Sequence, residues 1–428
     1  MRNALVYAIL CLVCVVGTAF WSDAQTTALP MGSHPMTPTS WSFECINGSD
    51  CGTNGSWITT SSQPGTVRLW DSGTNWALLN RTAGTYDWKS LDTWLDLIAE
   101  HQPSAVIYTF GHVPCWVAST SCDGNGWSTS PPSDLTASGS PAFNAFVTAL
   151  VQHCSPAGHC VKDYIKYWEM WNEANLTKYW TGTPNQLYDM FKPVIPIIRN
   201  NIAGAITSTP PVAGGDTSWM ASWMTLENTN GRLSDYYGFH AYLKDYTPET
   251  RISMVQRMVD TKNANGWTTT PWMNTETNFS LITFACTTGF GVWEHCDGQL
   301  VRWYVLQYAL QGGAGGAFHV GWYDWPSISS GGYDTYYYTM MQWLTGATFT
   351  ASCTHVSQGT VWTCPLTEAS GNTALIVWDA AGESVYMPAP EYADYKYFNG
   401  TYGGATEAIS TGQGTRIGRV PIMFESSK

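Results

Sequence analysis

The sequence predicts an α/β fold, a (β/α)8 barrel followed by a small C-terminal β-sandwich. Eight apolar or β-branched segments recur along most of the 428-residue chain, and amphipathic stretches separate most of them. From about residue 347 the pattern changes to short strands divided by Gly, Asn and Pro. Strands that alternate with helices predict parallel βαβ units, and eight such units in about 300 residues fit a closed barrel.

The predicted barrel strands are short apolar runs near residues 31–34, 66–70, 105–110, 165–171, 205–208, 236–242, 272–275 and 317–322. In the stretches between these strands, apolar residues recur at i, i+3, i+4 and i+7, which is the spacing of an amphipathic helix. It is clearest at Leu91, Trp94, Leu95 and Ile98, where Asp87 is a candidate helix cap. The same spacing recurs over residues 143–151 and 300–308.

The C-terminal part is predicted to form an antiparallel sandwich, with strands near residues 360–364, 373–378, 384–387, 396–398 and 416–424. The resulting organisation is a signal peptide (1–24), a barrel (25–346) and a β-sandwich domain (347–428). Because no flexible linker separates the last two, we expect them to pack together.

The composition excludes several classes of protein. Lys and Arg total 19 against 32 Asp and Glu, which gives a net charge of −13. A nucleic-acid binder would show a basic patch, and the same acidity argues against attraction to anionic lipid. Hydrophobic residues make up 44% of the chain, so it is not a disordered polymer. Aromatic residues reach 14%, more than a core alone requires.

The N-terminus has the pattern of a secretory signal peptide. A short basic start precedes an apolar run over residues 4–20, and small residues stand at the −3 and −1 positions before Gln25. A membrane anchor is the alternative, but about 17 residues is the lower limit of a spanning helix. We therefore predict a secreted protein, extracellular or periplasmic, that does not associate with a membrane once the signal is removed.

Cysteine usage agrees with export. Ten cysteines remain after the signal, and an even number in an exported chain predicts disulfides. The simplest pairing joins sequence neighbours: Cys45–Cys51, Cys115–Cys122, Cys154–Cys160, Cys286–Cys296 and Cys353–Cys364. No metal-ligand spacing accompanies them, so we expect no metal site and no cofactor.

Two glutamates follow predicted strands at matching positions. Glu173 ends the fourth strand and Glu276 ends the seventh, 103 residues apart, which is close to three βα units. Barrel enzymes carry their catalytic residues at the carboxyl ends of strands. Two carboxyl groups about 5–5.5 Å apart are what retaining glycoside hydrolysis requires. The alternative is that each Glu caps the following helix, but a matched pair favours catalysis.

Residues 168–176, Trp-Glu-Met-Trp-Asn-Glu-Ala-Asn-Leu, resemble the acid/base motif of clan A glycoside hydrolases, most closely that of family 39. The resemblance extends over roughly residues 30–425. That family contains β-xylosidases, α-L-iduronidases and exopolysaccharide glycosidases on a barrel with an appended β-sandwich. It implies that Glu173 is the acid/base, Glu276 the nucleophile and Asn172 the partner of the sugar 2-hydroxyl. The family usually has Pro where this chain has Ala174.

Two further segments are similar to the same family. Residues 67–71 imply that Arg68 lies near the nucleophile, and residues 238–242 imply that His240 and Tyr242 approach the nucleophile and the reacting sugar. Trp322 follows the predicted eighth strand, so its position places it at the site as a stacking platform for a sugar ring.

The proposed chemistry sets a condition on each carboxyl group. Glu173 must be protonated near neutral pH, so its pKa must be raised by apolar surroundings or a negative neighbour. The candidate apolar walls are Trp168, Trp171 and Trp180, and Glu276 is the negative neighbour. Glu276 must stay ionised, which Arg68 would favour.

The sequence thus predicts a retaining glycosidase acting on a polysaccharide or oligosaccharide. One alternative is a cellulase- or mannanase-type endo-hydrolase, because the Asn-Glu pair and the late Glu occur throughout the clan. A second is a catalytically silent glycan-binding barrel, although both Glu173 and Glu276 are present. A metal-dependent hydrolase is the remotest alternative.

Overall fold

The computed structural model describes residues 32–33, 66–70, 72–103, 105–120, 122, 126–243, 247–277, 293–311, 320–322, 339–340, 342–344, 346–356, 359–397, 404–410 and 412–426. The predicted signal peptide and the pairs Cys45–Cys51 and Cys286–Cys296 lie outside this description.

The larger part of the fold is an eight-stranded sheet in which every pairing is parallel. The strands of this sheet are β1 (Gly32–Ser33), β2 (Thr66–Leu69), β3 (Ala105–Thr109), β6 (Tyr167–Glu169), β7 (Ile206–Ser208), β8 (Tyr237–His240), β9 (Trp272–Thr277) and β10 (Val320–Trp322). A separate two-stranded hairpin of β4 (Val113–Pro114) and β5 (Trp127–Ser128) follows β3 in the chain.

The spatial order of the parallel sheet is β7-β6-β3-β2-β1-β10-β9-β8. Its first and last strands are also neighbours, because parallel bridges join Ser208 to Tyr236 and Val212 to Phe239. All eight strands lie within or overlap the predicted segments, which confirms the α/β class. Parallel strands point the same way, so their carboxyl ends share one edge.

The α-helices that follow a strand of the parallel sheet provide the crossover to the next. The α-helices within the described ranges are α1 (Trp76–Leu79), α2 (Lys89–His101), α3 (Pro141–Gln152), α4 (Val161–Tyr164), α5 (Pro184–Phe191), α6 (Val194–Asn201), α7 (Thr217–Asn230), α8 (Pro248–Ala264) and α9 (Trp293–Gln311). The three predicted helical stripes coincide with α2, α3 and α9.

The helix starts show local sequence control. Ser140 accepts a hydrogen bond from Phe143 N at the start of α3, and a capping box joins Thr183 to Gln186 at the start of α5. The cap predicted at Asp87 is displaced by one residue. Trp88 occupies the N-cap position of α2, and the Asp87 carboxylate accepts from Lys89 N at 3.3 Å.

The C-terminal part consists of two antiparallel sheets. Their strands are β11 (Thr348–Phe349), β12 (Thr354–Val356), β13 (Val361–Thr367), β14 (Thr373–Asp379), β15 (Ser384–Tyr386), β16 (Tyr392–Tyr397), β17 (Ala405–Ala408), β18 (Thr415–Ile417) and β19 (Ile422–Ser426). The larger sheet has the order β11-β13-β14-β19-β16-β17 with β12 paired to β13, and the smaller sheet pairs β15 with β18.

One predicted C-terminal strand is wrong. Residues 416–424 were expected to be continuous but belong to β18 and β19, which lie in different sheets. The sheets nonetheless share a hydrophobic cluster, in which Ile417 of the smaller sheet packs with Val377 and Phe424 of the larger. Strands β11, β12 and β17 were not predicted.

The parallel sheet and the antiparallel sheets pack against each other, as expected from the missing linker. One hydrophobic cluster contains Tyr304 of α9 together with Ile376 and Trp378 of β14. Trp378 Nε1 also donates to Glu249 of α8 at 2.7 Å. Burial of large apolar side chains on both sides makes this a common core.

Three of the five predicted disulfides are confirmed: Cys115–Cys122, Cys154–Cys160 and Cys353–Cys364. Each joins neighbours in sequence and closes a short loop. Among the described residues, no helix combines the length and apolar character needed to cross a bilayer.

Candidate active site

Six of the seven predicted site residues converge at the carboxyl edge of the parallel sheet. Arg68 lies in β2, His240 ends β8 and Glu276 lies in β9. Asn172 and Glu173 follow β6, and Tyr242 follows β8. The seventh, Trp322, ends β10, where its backbone pairs with Thr277 of β9. The orientation of the Trp322 side chain lies outside the description.

The backbone after β6 turns sharply to present Glu173. Trp171 and Glu173 both have positive φ angles, 78° and 41°. Residues other than glycine rarely adopt this left-handed backbone conformation, and each one that does costs of order 1–3 kcal/mol in stability. The turn is held by Trp171 N donating to Glu169 O at 2.9 Å and by Trp171 Nε1 donating to Tyr179 O at 3.1 Å. Backbone strain is therefore concentrated at the proposed acid/base.

A β-bulge in β9 brings Thr275 and Glu276 to the same site. Phe239 of β8 pairs with Asn274, but the next residue, His240, pairs with Glu276, so Thr275 is an extra residue in the ladder. A bulge re-aims side chains that would otherwise alternate. Asn274 bonds away from the site, to Gln307 of α9 at 2.7 Å.

Arg68 is the central cation of the site. It is 1% exposed, and its guanidinium donates through Nε to Glu169 at 2.8 Å and through Nη2 to the same carboxylate. Nη2 also donates to Asn172 Oδ1 at 2.7 Å, and Nη1 donates to Glu276 Oε2 at 3.1 Å. One planar group thus fixes three side chains from two strands, which a lysine could not do.

Glu276 is surrounded by donors. Arg68 contacts Oε2, and the Tyr242 hydroxyl donates to Oε1. His240 Nδ1 lies 3.6 Å from Oε2, beyond hydrogen-bond distance. The two donors hold the Glu276 carboxylate in a fixed orientation, as a nucleophile requires.

Glu173 is buried and contacts His240. Its Oε1 lies 2.9 Å from His240 Nδ1, and its Oε2 lies 3.9 Å from Lys178 Nζ. An oxygen of Glu173, a nitrogen of His240 and an oxygen of Glu276 all lie within 4.8 Å of one another. The two carboxylates therefore face each other across one small space.

The same three side chains could offer donor atoms to a metal ion. Each, however, already has a protein partner: Glu276 has Arg68 and Tyr242, and Glu173 has His240. A guanidinium beside a carboxylate opposes the binding of a second cation. The arrangement fits acid–base chemistry better than metal ligation.

The pKa of Glu173 differs from the sequence prediction. Burial is the largest single influence on the pKa of this carboxyl group and acts to raise it, as predicted. The hydrogen bond and the positive charge of His240 act in the opposite direction, with smaller contributions from Lys178 and Arg68. Their sum lowers the pKa of Glu173 below its ordinary value. The prediction considered the Trp walls and Glu276 but omitted His240.

The predicted Trp walls are buried but serve the core as well as the site. Trp168 packs against Tyr108 and Phe110, and Trp171 packs edge-on against Trp180. Trp127, from the loop after β3, stacks on His112 at 4.5 Å, and His112 stacks on Trp70. Trp70 and His112 also pack against Tyr179, whose carbonyl oxygen accepts from Trp171 Nε1, so this aromatic wall adjoins the turn that carries Glu173.

Sequence reasoning missed Glu169, Thr275 and Lys178. Glu169 is completely buried and accepts from Arg68, from Thr109 Oγ1 at 2.7 Å and from Thr275 Oγ1 at 2.5 Å. A signal for it was present, because an acidic residue inside an apolar strand must have a partner. No comparable signal distinguishes Thr275.

The sequence matches no protein-family model and no curated protein. Solved structures do share the fold. A family 39 β-xylosidase from Caulobacter crescentus superimposes with a TM-score of 0.60 at 13% identity, over 95% of this chain and 97% of that one. A family 30 subfamily 8 xylanase from Clostridium acetobutylicum gives 0.55 at 12% identity, over 94% and 96%. A conserved exported protein from Bacteroides fragilis gives 0.61 at 11% identity, over 94% and 98%.

The two neighbours named here by activity are glycoside hydrolases of families 39 and 30, and this chain shares their fold. Their family numbers differ, and the low identities do not single out family 39.

Proposed function

We propose that this protein is a retaining glycoside hydrolase that cleaves glycosidic bonds by double displacement. The observation that carries the proposal is the pair Glu173 and Glu276, since one carboxylate oxygen of each lies within 4.8 Å of the other at the carboxyl edge of the sheet. Retaining enzymes hold their two carboxyl groups about 5–5.5 Å apart, whereas inverting enzymes need about 6.5–9.5 Å for a water molecule.

The surroundings of each carboxyl group support a separate role for it. Glu276, with Arg68 and Tyr242 as donors, is the nucleophile that attacks the anomeric carbon. Glu173, buried beside His240, is the acid that protonates the departing oxygen. It then acts as the base that activates water in the second step. The covalent glycosyl-enzyme formed at Glu276 is released by that water.

Asn172 and Trp322 complete the proposed sugar site. Arg68 holds the Asn172 carbonyl oxygen, which leaves the Asn172 amide group to donate to the sugar 2-hydroxyl. Such contacts strengthen in the transition state. Trp322, at the end of β10, would stack on the apolar face of a sugar ring.

We propose the full architecture to be that of a (β/α)8 barrel with an appended β-sandwich. Parallel bridges between β7 and β8 support closure, and the cluster shared by the two antiparallel sheets supports the sandwich. Residues 25–346 form the catalytic domain and residues 347–428 an accessory domain. Export after removal of residues 1–24 is supported by three disulfides and by the N-terminal pattern.

The substrate we propose is a polysaccharide or oligosaccharide, with an activity like that of β-xylosidases or exopolysaccharide glycosidases. The family 39 β-xylosidase among the neighbours supports exo action on xylose-containing glycans. The xylanase among them supports a second candidate, an endo-hydrolase. The wall of Trp70, His112 and Trp127 would suit an extended chain.

The decisive experiment follows product masses over time with wild type and Glu276→Gln on a panel of plant and microbial polysaccharides. We expect sugar release by wild type alone, with monomers indicating exo action and a ladder indicating endo action. Glu173→Ala supplies a second readout: added azide should restore turnover and give a glycosyl azide of retained configuration. Binding without release on every glycan would favour the silent binding protein instead.

A further inference from the structure

Four buried side chains form a continuous hydrogen-bonded chain behind the proposed acid. Glu169 Oε1 contacts Thr275 Oγ1 at 2.5 Å, and Thr275 Oγ1 contacts His240 Nε2 at 3.1 Å. His240 Nδ1 then contacts Glu173 Oε1 at 2.9 Å. Glu169, Thr275 and His240 are each fully buried.

The donor and acceptor of each hydrogen bond follow from which side chains of the chain carry a proton. Glu169 makes two bonds to the guanidinium of Arg68 and accepts from Thr109, so it is an ionised carboxylate with no proton to give. The single proton of the Thr275 hydroxyl therefore points to Glu169. Thr275 Oγ1 can then only accept from His240, so His240 Nε2 carries a proton.

A neutral imidazole has one protonated nitrogen. With that proton fixed on Nε2, the Nδ1 of neutral His240 is an acceptor, and it faces Glu173. The contact between Nδ1 and Glu173 Oε1 must then contain one proton, because two acceptors at 2.9 Å would repel each other.

We propose that Glu169 and Thr275 are positioning residues that fix His240 with its proton on Nε2, so that Glu173 and His240 hold one proton in common. This inference rests on the proposed role of Glu173 as acid. The shared proton is the one that Glu173 delivers to the glycosidic oxygen as the bond to the anomeric carbon breaks and Glu276 bonds to that carbon. It returns to the pair when water attacks in the second step.

The chain explains how a carboxyl group beside a histidine can still serve as an acid. Lys178 and Arg68 are the cations that face the pair, and they favour the ionised form of Glu173. Glu276 is a negative group that faces the pair, with Oε2 at 3.6 Å from His240 Nδ1. Losing the shared proton leaves two acceptors facing each other, so the fixed tautomer retains the proton to higher pH.

The test compares Thr275→Val with Thr275→Ser. Valine has nearly the shape of threonine but no hydroxyl, so His240 is released to the other tautomer, which donates to an ionised Glu173. We expect the alkaline limb of the kcat/KM profile for the glycan cleaved by wild type to move down by roughly one pH unit. Serine keeps the hydroxyl and should restore the wild-type limb. A Thr275→Val profile that coincides with wild type would overturn the inference while leaving the hydrolase intact.

A second measurement needs no substrate and no variant at Thr275. The measurement is NMR of the ring nitrogens in wild type labelled with ¹⁵N-histidine, at a pH above the alkaline limb. The His240 ring should show a protonated Nε2 and an unprotonated Nδ1. His240→Asn identifies the signals by their loss. A protonated Nδ1 with a bare Nε2 would contradict the inference even if no glycan is cleaved. Thus failure of the inference and failure of the proposed function give different results.

Discussion

Arg68 Nη1 lies 3.1 Å from Glu276 Oε2, and this contact links β2 to β9 across the site. The same guanidinium binds the carboxylate of the buried Glu169. Arg68 therefore pairs with two carboxylates, a structural one at Glu169 and one with a proposed chemical role at Glu276. Orientation of the nucleophile and stability of the sheet are therefore coupled through Arg68.

Arg68→Lys should damage both properties. Lysine keeps the charge but has one nitrogen for four acceptor contacts, so Glu169 or Glu276 loses its partner. We expect kcat/KM to fall by about 100-fold or more and the free energy of unfolding to fall by about 3 kcal/mol. Urea unfolding and initial rates measure these quantities. Arg416→Lys, at the exposed position of β18, is the control and should stay within about 0.5 kcal/mol.

Tyr242→Phe should reduce turnover while leaving the fold intact. The tyrosine hydroxyl donates to Glu276 Oε1, and hydrogen bonds to charged groups are worth about 1.5–3 kcal/mol. Loss of this donor misorients the carboxylate, so we expect kcat to fall about 10- to 100-fold. Tyr164→Phe is the matched control, because Tyr164 packs on His159 and precedes the amino end of β6, opposite the edge that carries the site. Equal kcat values for the two variants would argue against a role for Tyr242.

The sequence was sufficient to predict the strands and the paired carboxylates. Strands of a parallel sheet are buried on both faces and therefore appear as short apolar runs, and the segment before Glu173 is one of them. A polar residue at the end of such a run must lie at the carboxyl edge. The positions of Arg68, Glu173 and Glu276 follow from this rule together with the resemblance.

Local backbone irregularities limited the prediction of the site. The bulge at Thr275 breaks strict alternation, so the sequence alone places Thr275 and Glu276 on opposite faces. The positive φ angles of Trp171 and Glu173 likewise could not be predicted, because neither residue is a glycine, the residue type that usually indicates such a conformation. The pKa of Glu173 was predicted in the wrong direction because the distance between Glu173 and His240 depends on these same irregularities.

Lys262 provides a test of stability remote from the site. Its Nζ is buried and donates to Trp267 O at 2.6 Å and to Thr268 O at 3.2 Å. Burial, followed by the charge of Arg232, lowers the pKa of Lys262 from 10.5 to about 8. Between these two values the unfolded chain binds more protons than the folded chain, so the contribution of Lys262 to stability rises with pH.

The measurement is urea unfolding of wild type and Lys262→Met from about pH 7 to about pH 10. The difference in the free energy of unfolding should shift in favour of wild type as the pH rises through 8. Lys192→Met, at an exposed position, is the control. A constant difference for Lys262→Met would show that its amine titrates normally.

The contact between Trp378 and Glu249 predicts that the two parts of the molecule unfold together. Trp378 Nε1 donates to Glu249 Oε1 at 2.7 Å, and Arg302 Nη1 lies 3.2 Å from the same oxygen. Trp378→Phe removes the donor and leaves a buried carboxylate with one partner fewer. We expect a loss of about 2 kcal/mol in the free energy of unfolding.

Calorimetry of Trp378→Phe should still show one transition, at lower temperature, because the shared hydrophobic cluster keeps the parts coupled. Trp362→Phe is the control, since Trp362 stacks on Trp378 at 6.0 Å and its truncation removes similar volume without breaking the bond to Glu249. Its destabilisation should therefore be the smaller of the two. Two separate transitions in wild type would instead mean that the antiparallel sheets fold independently and that the Trp378–Glu249 bond contributes little to cooperativity.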